Sequence, residues 1–240
     1  MRLDVALTPE RVDHAALPAS TAMVIDVLRA STTMITALAN GCRGVVPVAD
    51  PAEALARARA IGLSALAGGE RKGRPLPGFD FGNSPFEVTR DRVADRTLVF
   101  TTSNGTAALL AARPAAALGV AAFVNVTAAA AWALAERRDV SVVCAGERGG
   151  ASLEDEVCAG LLLDRVLQHE PGAELTETAR DALRTARGYG KAVTRLAEDS
   201  AWARHLAHIG RGADVAACLA VDTTTLVPIW SVDKVVGGSR

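Results

Sequence analysis

Short runs of Val, Ile, Leu and Ala alternate with alanine-rich runs along the first 150 residues, and this alternation restricts the fold more than any other feature. TAMVIDV and GVVPVAD are typical of buried strands, whereas PAEALARARAIG has proline at its first helical position and a terminal glycine. Strands that alternate with helices predict an α/β fold with three α/β/α layers around a mostly parallel sheet.

The alternation occurs twice, at a nearly constant offset. Asp26 lies 75 residues before Thr101, Gly44 lies 75 before Gly119, and the third strands end in the similar sequences GGERKG and CAGERGG. We therefore predict two duplicated βαβαβ halves, at about residues 20–75 and 96–150. Residues 151–240 have helical patterns and a final strand, LVPIWSVDKVV, and we expect them to pack on the core of a single domain spanning 1–240.

Composition excludes several classes of protein. The net charge is −1 and aromatic residues are 4%, which does not suit nucleic-acid binding. No apolar run reaches the roughly 18 residues of a membrane span, so we expect a cytoplasmic protein. The four cysteines lack metal-site spacing and are expected to be reduced and buried, with Cys144 of interest because it ends a strand. The sequence leaves open whether the chain forms a homo-oligomer such as a dimer.

Polar residues collect where the predicted strands end, and parallel sheets bind ligands beyond those ends. In DVLRASTT, Asp26 suits a metal, while Arg29, Ser31 and Thr32 suit an oxyanion at a helix N-terminus. A helix cap with a structural Asp–Arg pair explains the same residues. TTSNGT is either an anion nest or an ordinary polar turn; its candidate ligand-binding residues are Thr102, Asn104, Gly105 and Thr106.

Acidic residues recur at the other strand ends. Glu70 and Glu147 are candidate metal ligands, and Arg71 and Arg148 candidate anion ligands, unless they form exposed ion pairs. Glu154 and Asp155 begin a predicted helix, where acids either complement the helix dipole or serve as Mg²⁺ ligands or a general base.

The absence of known catalytic motifs narrows the chemistry. The sequence has no P-loop, dinucleotide fingerprint, nucleophile elbow or tyrosine-phosphatase cysteine loop. Carboxylates beside hydroxyl-rich and arginine-bearing segments suit metal-assisted attack of water on a small, multiply anionic, phosphorylated substrate. The polar segment 68–85 between two apolar regions has Phe79, Phe81 and Pro85 as anchors, so we expect it to be an ordered functional loop.

Five segments resemble the 2-phosphosulfolactate phosphatase (ComB) family: DVLRASTT, GERKGRPLPGFDFGNSPFE, TTSNGTAAL, CAGERGGASLEDEVCAG and DVAACLAVD. They span residues 26–222. The resemblance implies a Mg²⁺-dependent phosphatase of α/β/α fold that converts (R)-2-phospho-3-sulfolactate to 3-sulfolactate and phosphate, a step of coenzyme M biosynthesis.

The resemblance also implies roles for particular residues. The loop 68–85 would lie over the strand ends and present Asp80, Asn83 and Ser84 to the ligand. Carboxylates for Mg²⁺ or for the attacking water would come from Asp26, Glu70 and Asp155, with Glu154 as a further metal ligand. Arg29 and Arg71 would hold the phosphate and the sulfonate, and hydrogen bonds would come from Asn83, Thr102, Asn104 and Thr106.

Two alternatives stay open from the sequence. A phosphatase of the same family acting on a different phosphorylated hydroxy acid would share all these residues. A non-catalytic sensor would bind the same anions at these loops and release no phosphate.

Overall fold

The computed structural model describes residues 1–238 and confirms the predicted three-layer α/β/α architecture. The strands are β1 (Arg2–Ala6), β2 (Thr21–Ile25), β3 (Gly44–Pro47), β4 (Ala65–Arg71), β5 (Arg74–Pro75), β6 (Thr97–Thr101), β7 (Ala117–Ala121), β8 (Val140–Cys144), β9 (Glu174–Leu175), β10 (Pro228–Ser231) and β11 (Lys234–Gly237). The helices are α1 (Ala30–Ala39), α2 (Pro51–Ile61), α3 (Arg90–Val93), α4 (Gly105–Ala112), α5 (Val126–Ala135), α6 (Leu153–Leu167), α7 (Glu177–Tyr189), α8 (Leu196–Asp199), α9 (Ala201–Leu206) and α10 (Gly212–Cys218).

The central strand β2 is apolar and buried on both faces, which is why the helices form two layers. Met23 and Ile25 pack with α5, α6 and α7 on one face, whereas Ala22 and Val24 pack with α1 and α4 on the other. Successive side chains of a strand point to opposite faces, so a continuous apolar run supplies both cores. No helix among residues 1–238 has the length and apolarity to cross a membrane.

The strand order is symmetric about the C-terminal hairpin. It runs β5-β4-β6-β3-β11-β10-β7-β2-β8-β1-β9, so β6 lies between β3 and β4, and β2 lies between β7 and β8. The first strand of each predicted repeat is thus inserted among the strands of the other. A duplication with exchanged first strands would produce this order, although the duplication itself stays a prediction.

Two expectations about the sheet need correction. LVPIWSVDKVV forms two antiparallel strands, β10 and β11, rather than one, and Arg2–Ala6 adds a strand that was not predicted. The hairpin is antiparallel to both β7 and β3. The strands around β3 therefore run opposite to those around β7, and their carboxyl ends do not lie on one straight edge.

The two sets of carboxyl ends nevertheless meet. α4 contacts β2 and β8 as well as β3 and β6, so it joins the oppositely directed strands. At its first residue, a β-carbon on Gly105 would lie 2.5 Å from Asp26 Oδ2 and 2.6 Å from Ala30 Cβ. Glycine is therefore required where α4 approaches the end of β2, since any side chain would overlap Asp26.

The contact between α6 and α7 depends on another glycine. A β-carbon on Gly160 would lie 2.0 Å from the Ala182 carbonyl oxygen, so Gly160→Ala must push the helices apart. Overpacking of this kind costs about 1–3 kcal/mol. We expect the free energy of unfolding, measured in urea, to fall by that amount.

Gly188→Ala is the matched control, because Gly188 lies in α7 with nothing within 4 Å of its would-be β-carbon. Replacing an unhindered helical glycine by alanine stabilises by about 0.5–1 kcal/mol. Equal effects of the two substitutions would contradict the close packing of α6 on α7.

Candidate active site

A cavity of about 360 Å³ lies where the carboxyl ends of β2, β4, β6 and β8 converge. The side chains that line it come from the loops after all four strands, from the segment 68–85 and from α9. They are Asp26, Leu28, Arg29, Glu70, Lys72, Asn83, Ser103, Asn104, Glu147, Arg148 and Trp202. A smaller adjoining pocket adds Glu154 and Asp155 to the walls.

Glu70 and Asp155 are buried and hold the loops around the cavity. Glu70 Oε1 accepts a hydrogen bond from the Ser103 N–H at 2.8 Å, and Oε2 accepts one from Gly73 at 2.6 Å. Asp155 Oδ1 accepts from the Val27 N–H at 2.8 Å, and Oδ2 accepts from Gly146 at 3.3 Å. Each acid thus ties its own loop to the loop that follows β6 or β2.

Asp26 directly follows β2, four residues before α1 begins. Its Oδ1 accepts a hydrogen bond from the Ala30 N–H at 3.1 Å, while its Oδ2 faces Gly105 and has no hydrogen-bond donor among residues 1–238. Burial, together with the charges of Glu70 and Glu154, raises the pKa of Asp26 to about 7, although the Ala30 N–H and the Arg29 charge act in the opposite direction. Asp26 can therefore exchange a proton near neutral pH.

Asp155 and Glu154, which line the adjoining pocket, are also costly to ionise. Burial raises the pKa of Asp155 well above its usual range, and the charges of Asp26 and Glu154 add to the effect. Burial likewise raises the pKa of Glu154. Closely spaced buried carboxylates of this kind favour a bound cation or shared protons.

Arg29 is oriented by an acid that the sequence analysis did not single out. Its Nη1 donates to Asp214 Oδ2 at 2.5 Å and its Nη2 to the Gly73 carbonyl at 3.1 Å, and both side chains of the pair are buried. Ser84 Oγ donates to the other Asp214 oxygen at 2.7 Å. Asp214 begins the DVAACLAVD segment, yet nothing in its local spacing indicates that it reaches Arg29 from α10.

Several predicted ligand-binding residues shape the loops instead of lining the cavity. Ser31 Oγ accepts from the Asp26 N–H, Thr32 donates to the Val27 carbonyl, and Thr102 and Thr106 hydrogen-bond to each other. Their contacts therefore fit the structural alternative, in which these hydroxyls cap a helix or a polar turn.

Asp80 and Arg71 also lie outside the cavity. Asp80 Oδ2 accepts from the Ala67 N–H, which fixes the segment 68–85 to β4. Arg71 donates to the Ala49 carbonyl and to Thr101 Oγ1. β4 extends to Arg71, so the neighbouring side chains of Glu70 and Arg71 point to opposite faces, and Glu70 is the one that lines the cavity. Lys72, in the turn that follows β4, also lines it.

The segment 68–85 is ordered as predicted, since Gly68 bridges Phe81 and the Gly69 N–H donates to the Phe81 and Gly82 carbonyls. Asn83, near its end, is buried in the cavity wall, and its Oδ1 has no partner among the described residues. Such an oxygen is available to a cation or to a ligand donor.

The environment of Cys144 does not favour a role as a catalytic nucleophile. All four cysteines are unpaired and buried, as predicted, and burial raises the pKa of Cys144 well above its usual range. A thiol without thiolate character is a poor nucleophile.

Known proteins resemble this chain along nearly its whole length. A family model described as "2-phosphosulpholactate phosphatase" matches residues 6–233. The chain belongs to this family. Three relatives are each named "Probable 2-phosphosulfolactate phosphatase". The Clostridium acetobutylicum protein is 35% identical over 96% of this chain and 98% of its own length. The Symbiobacterium thermophilum protein is 38% identical over 90% and 93%. The Thermotoga petrophila protein is 36% identical over 94% of both chains.

The buried Asp26 carboxylate makes stability depend on pH. An acid whose pKa is raised on folding, here from 3.8 to about 7, binds protons more tightly in the folded state, so stability falls as pH rises through that window. In metal-free buffer, Asp26→Asn should stabilise the protein at pH 8 by roughly 1–4 kcal/mol and little at pH 4. Thermal unfolding at both pH values measures this difference, and a destabilised variant at pH 8 would contradict it.

Proposed function

We propose that this protein is a Mg²⁺-dependent phosphatase that hydrolyses (R)-2-phospho-3-sulfolactate to 3-sulfolactate and phosphate, the type of reaction found in coenzyme M biosynthesis. The observation that carries the proposal is the family match across residues 6–233. It is supported by the cavity at the strand ends of this region, which has carboxylates and cationic side chains in its walls. The buried, unpaired cysteines suit a reducing compartment, so we place the reaction in the cytoplasm.

The donor set suits a hydrated Mg²⁺ ion. Among residues 1–238, no three His, Cys, Asp or Glu side chains converge on a ready-made metal position. Mg²⁺ retains several waters and needs only one or two carboxylates together with substrate phosphate. Asn83 and Glu154 offer oxygens at the cavity or its adjoining pocket, whereas Glu70 and Asp155 already accept two backbone hydrogen bonds each.

When bound, Mg²⁺ would neutralise charge on the phosphate oxygens. Asp26 would orient the attacking water and accept its proton at Oδ2, because this atom is free of backbone donors and the pKa is near 7. Water would form the new P–O bond as the ester P–O bond breaks, and the leaving hydroxyl oxygen would take up a proton. Arg29, held by Asp214, and the N-terminus of α4 would favour the phosphate.

The test is release of inorganic phosphate from 2-phospho-3-sulfolactate, with Mg²⁺ and with EDTA, beside 2-phospholactate, phosphoglycolate and phosphoglycerate. We expect Mg²⁺-dependent release that is fastest from the sulfonate. Preference for another acid would keep the mechanism and change the substrate. No release from any of them would overturn the proposal in favour of anion binding alone.

Asp26→Asn should lower kcat by about 10²–10⁴, because general-base catalysis contributes that much and the amide cannot accept the proton. Asp181→Asn, at an exposed acid of α7, is the matched control and should retain normal turnover. Steady-state phosphate release by both folded variants measures the effect. Near-normal activity of Asp26→Asn would exclude Asp26 as the base.

A further inference from the structure

Two tight turns at the cavity have the same backbone conformation. In the first, Arg71 pairs with Arg74 across Lys72 and Gly73, whose φ angles are 55° and 79°. In the second, Glu147 pairs with Gly150 across two residues with φ angles of 51° and 77°. Positive φ at both central residues is the signature of a type I′ hairpin turn.

The second turn has Arg148 and Gly149 at its centre, so a long cationic side chain occupies the first central position of both turns. That position strongly favours Asn, Asp or Gly, and a Lys or Arg there raises the energy of the backbone. Local turn stability therefore does not explain why Lys72 and Arg148 occupy these positions. A role in binding a ligand at the cavity explains why cationic residues occupy both positions.

Both turns are fixed to the acids of the site. The Gly73 N–H donates to Glu70 and its carbonyl accepts from Arg29. On the other side, the Gly146 N–H, two residues before Arg148, donates to Asp155. The two cationic side chains are consequently held over the cavity from opposite repeats, and both line it.

The charges around the cavity leave these two side chains available for a ligand. Arg29 is paired with Asp214 at 2.5 Å. Lys72 makes no ion pair among the described residues, and Arg148 has only a 3.5 Å contact with Glu147, its side chain being 78% exposed. Carboxylates form much of the cavity wall and would repel a ligand with several negative charges. The acidic groups of such a ligand that do not reach Mg²⁺ or Arg29 therefore need further cationic side chains.

We propose that Lys72 and Arg148 are specificity-determining residues that bind the sulfonate and carboxylate groups which the substrate carries besides its phosphate. The proposal rests on the proposed function. It assigns to Lys72 the anion contact that the sequence predicted for Arg71, which faces away. The enzyme would thereby select small phosphate esters that bear further acidic groups.

Lys72→Asn and Arg148→Asn test the pair without endangering the fold, because Asn followed by Gly is a preferred pair for a type I′ turn. Thermal unfolding should show equal or higher stability. Arg137→Asn is the matched control: Arg137 is exposed, has φ 53° and precedes β8 at the opposite end from the cavity. The substrates are 2-phospho-3-sulfolactate, 2-phospholactate and isopropyl phosphate, which bear two, one and no further acidic groups.

Each test variant should raise KM for 2-phospho-3-sulfolactate about tenfold, as expected for loss of one charge-assisted hydrogen bond, with kcat changed much less. For 2-phospholactate the increase should remain in the variant that has lost the carboxylate contact and vanish in the variant that has lost the sulfonate contact. Both increases should vanish for isopropyl phosphate, and Arg137→Asn should match the wild type throughout. An equal increase in KM on all three substrates, or no increase in either variant, would overturn the proposal.

The Kd for 3-sulfolactate, measured by calorimetry, tests the roles of Lys72 and Arg148 independently of phosphatase activity. If the wild type hydrolyses none of the esters, a tenfold weaker Kd for Lys72→Asn and Arg148→Asn, with normal binding by Arg137→Asn, would still support the pair while the phosphatase proposal fails. Binding unchanged by either substitution, or undetectable in the wild type, would overturn the pair.

Discussion

The site depends on two buried carboxylates that bind backbone rather than side chains. Glu70 accepts the Ser103 N–H from the loop after β6, and Asp155 accepts the Val27 N–H from the loop after β2. A buried carboxylate without hydrogen-bond partners is costly, so these hydrogen bonds fix the loop after β6 to Glu70 and the loop after β2 to Asp155. Glu70 thereby joins the ends of the parallel strands β4 and β6, and Asp155 joins the loops after the parallel strands β8 and β2. The contact of Gly105 with Asp26 brings these two oppositely directed pairs together.

The same contacts give Asp26 its chemistry. With the loops closed on either side and Gly105 against its Oδ2, Asp26 is buried beside other acids, and its pKa rises to about 7. This arrangement opposes folding when Asp26 is ionised and provides a proton acceptor near neutral pH. Stability is thus lost at the residue to which we assign the role of general base, and such a loss is common at active sites.

Much of the architecture was predictable because it follows from local patterns. The apolar runs predicted β2, β3, β4, β6, β7 and β8, and the caps predicted the helices between them. Asp26, Arg29, Glu70, Asn83, Asn104 and Arg148 were expected at the ligand and do line the cavity. Lys72 was missed because β4 was predicted to end at Gly69, whereas the strand continues to Arg71 and the turn after it brings Lys72 to the cavity.

The sequence by itself determined the α/β alternation, the repeated strand ends and the family, since periodicity, turn residues and motif order are all local properties of the chain. Only the tertiary structure decided that β6 lies between β3 and β4, that β2 lies between β7 and β8, and that the two directions of strand meet at α4. It also decided that Asp214 reaches Arg29 from 185 residues away. Such contacts arise from packing between distant segments, and no spacing within one segment encodes them.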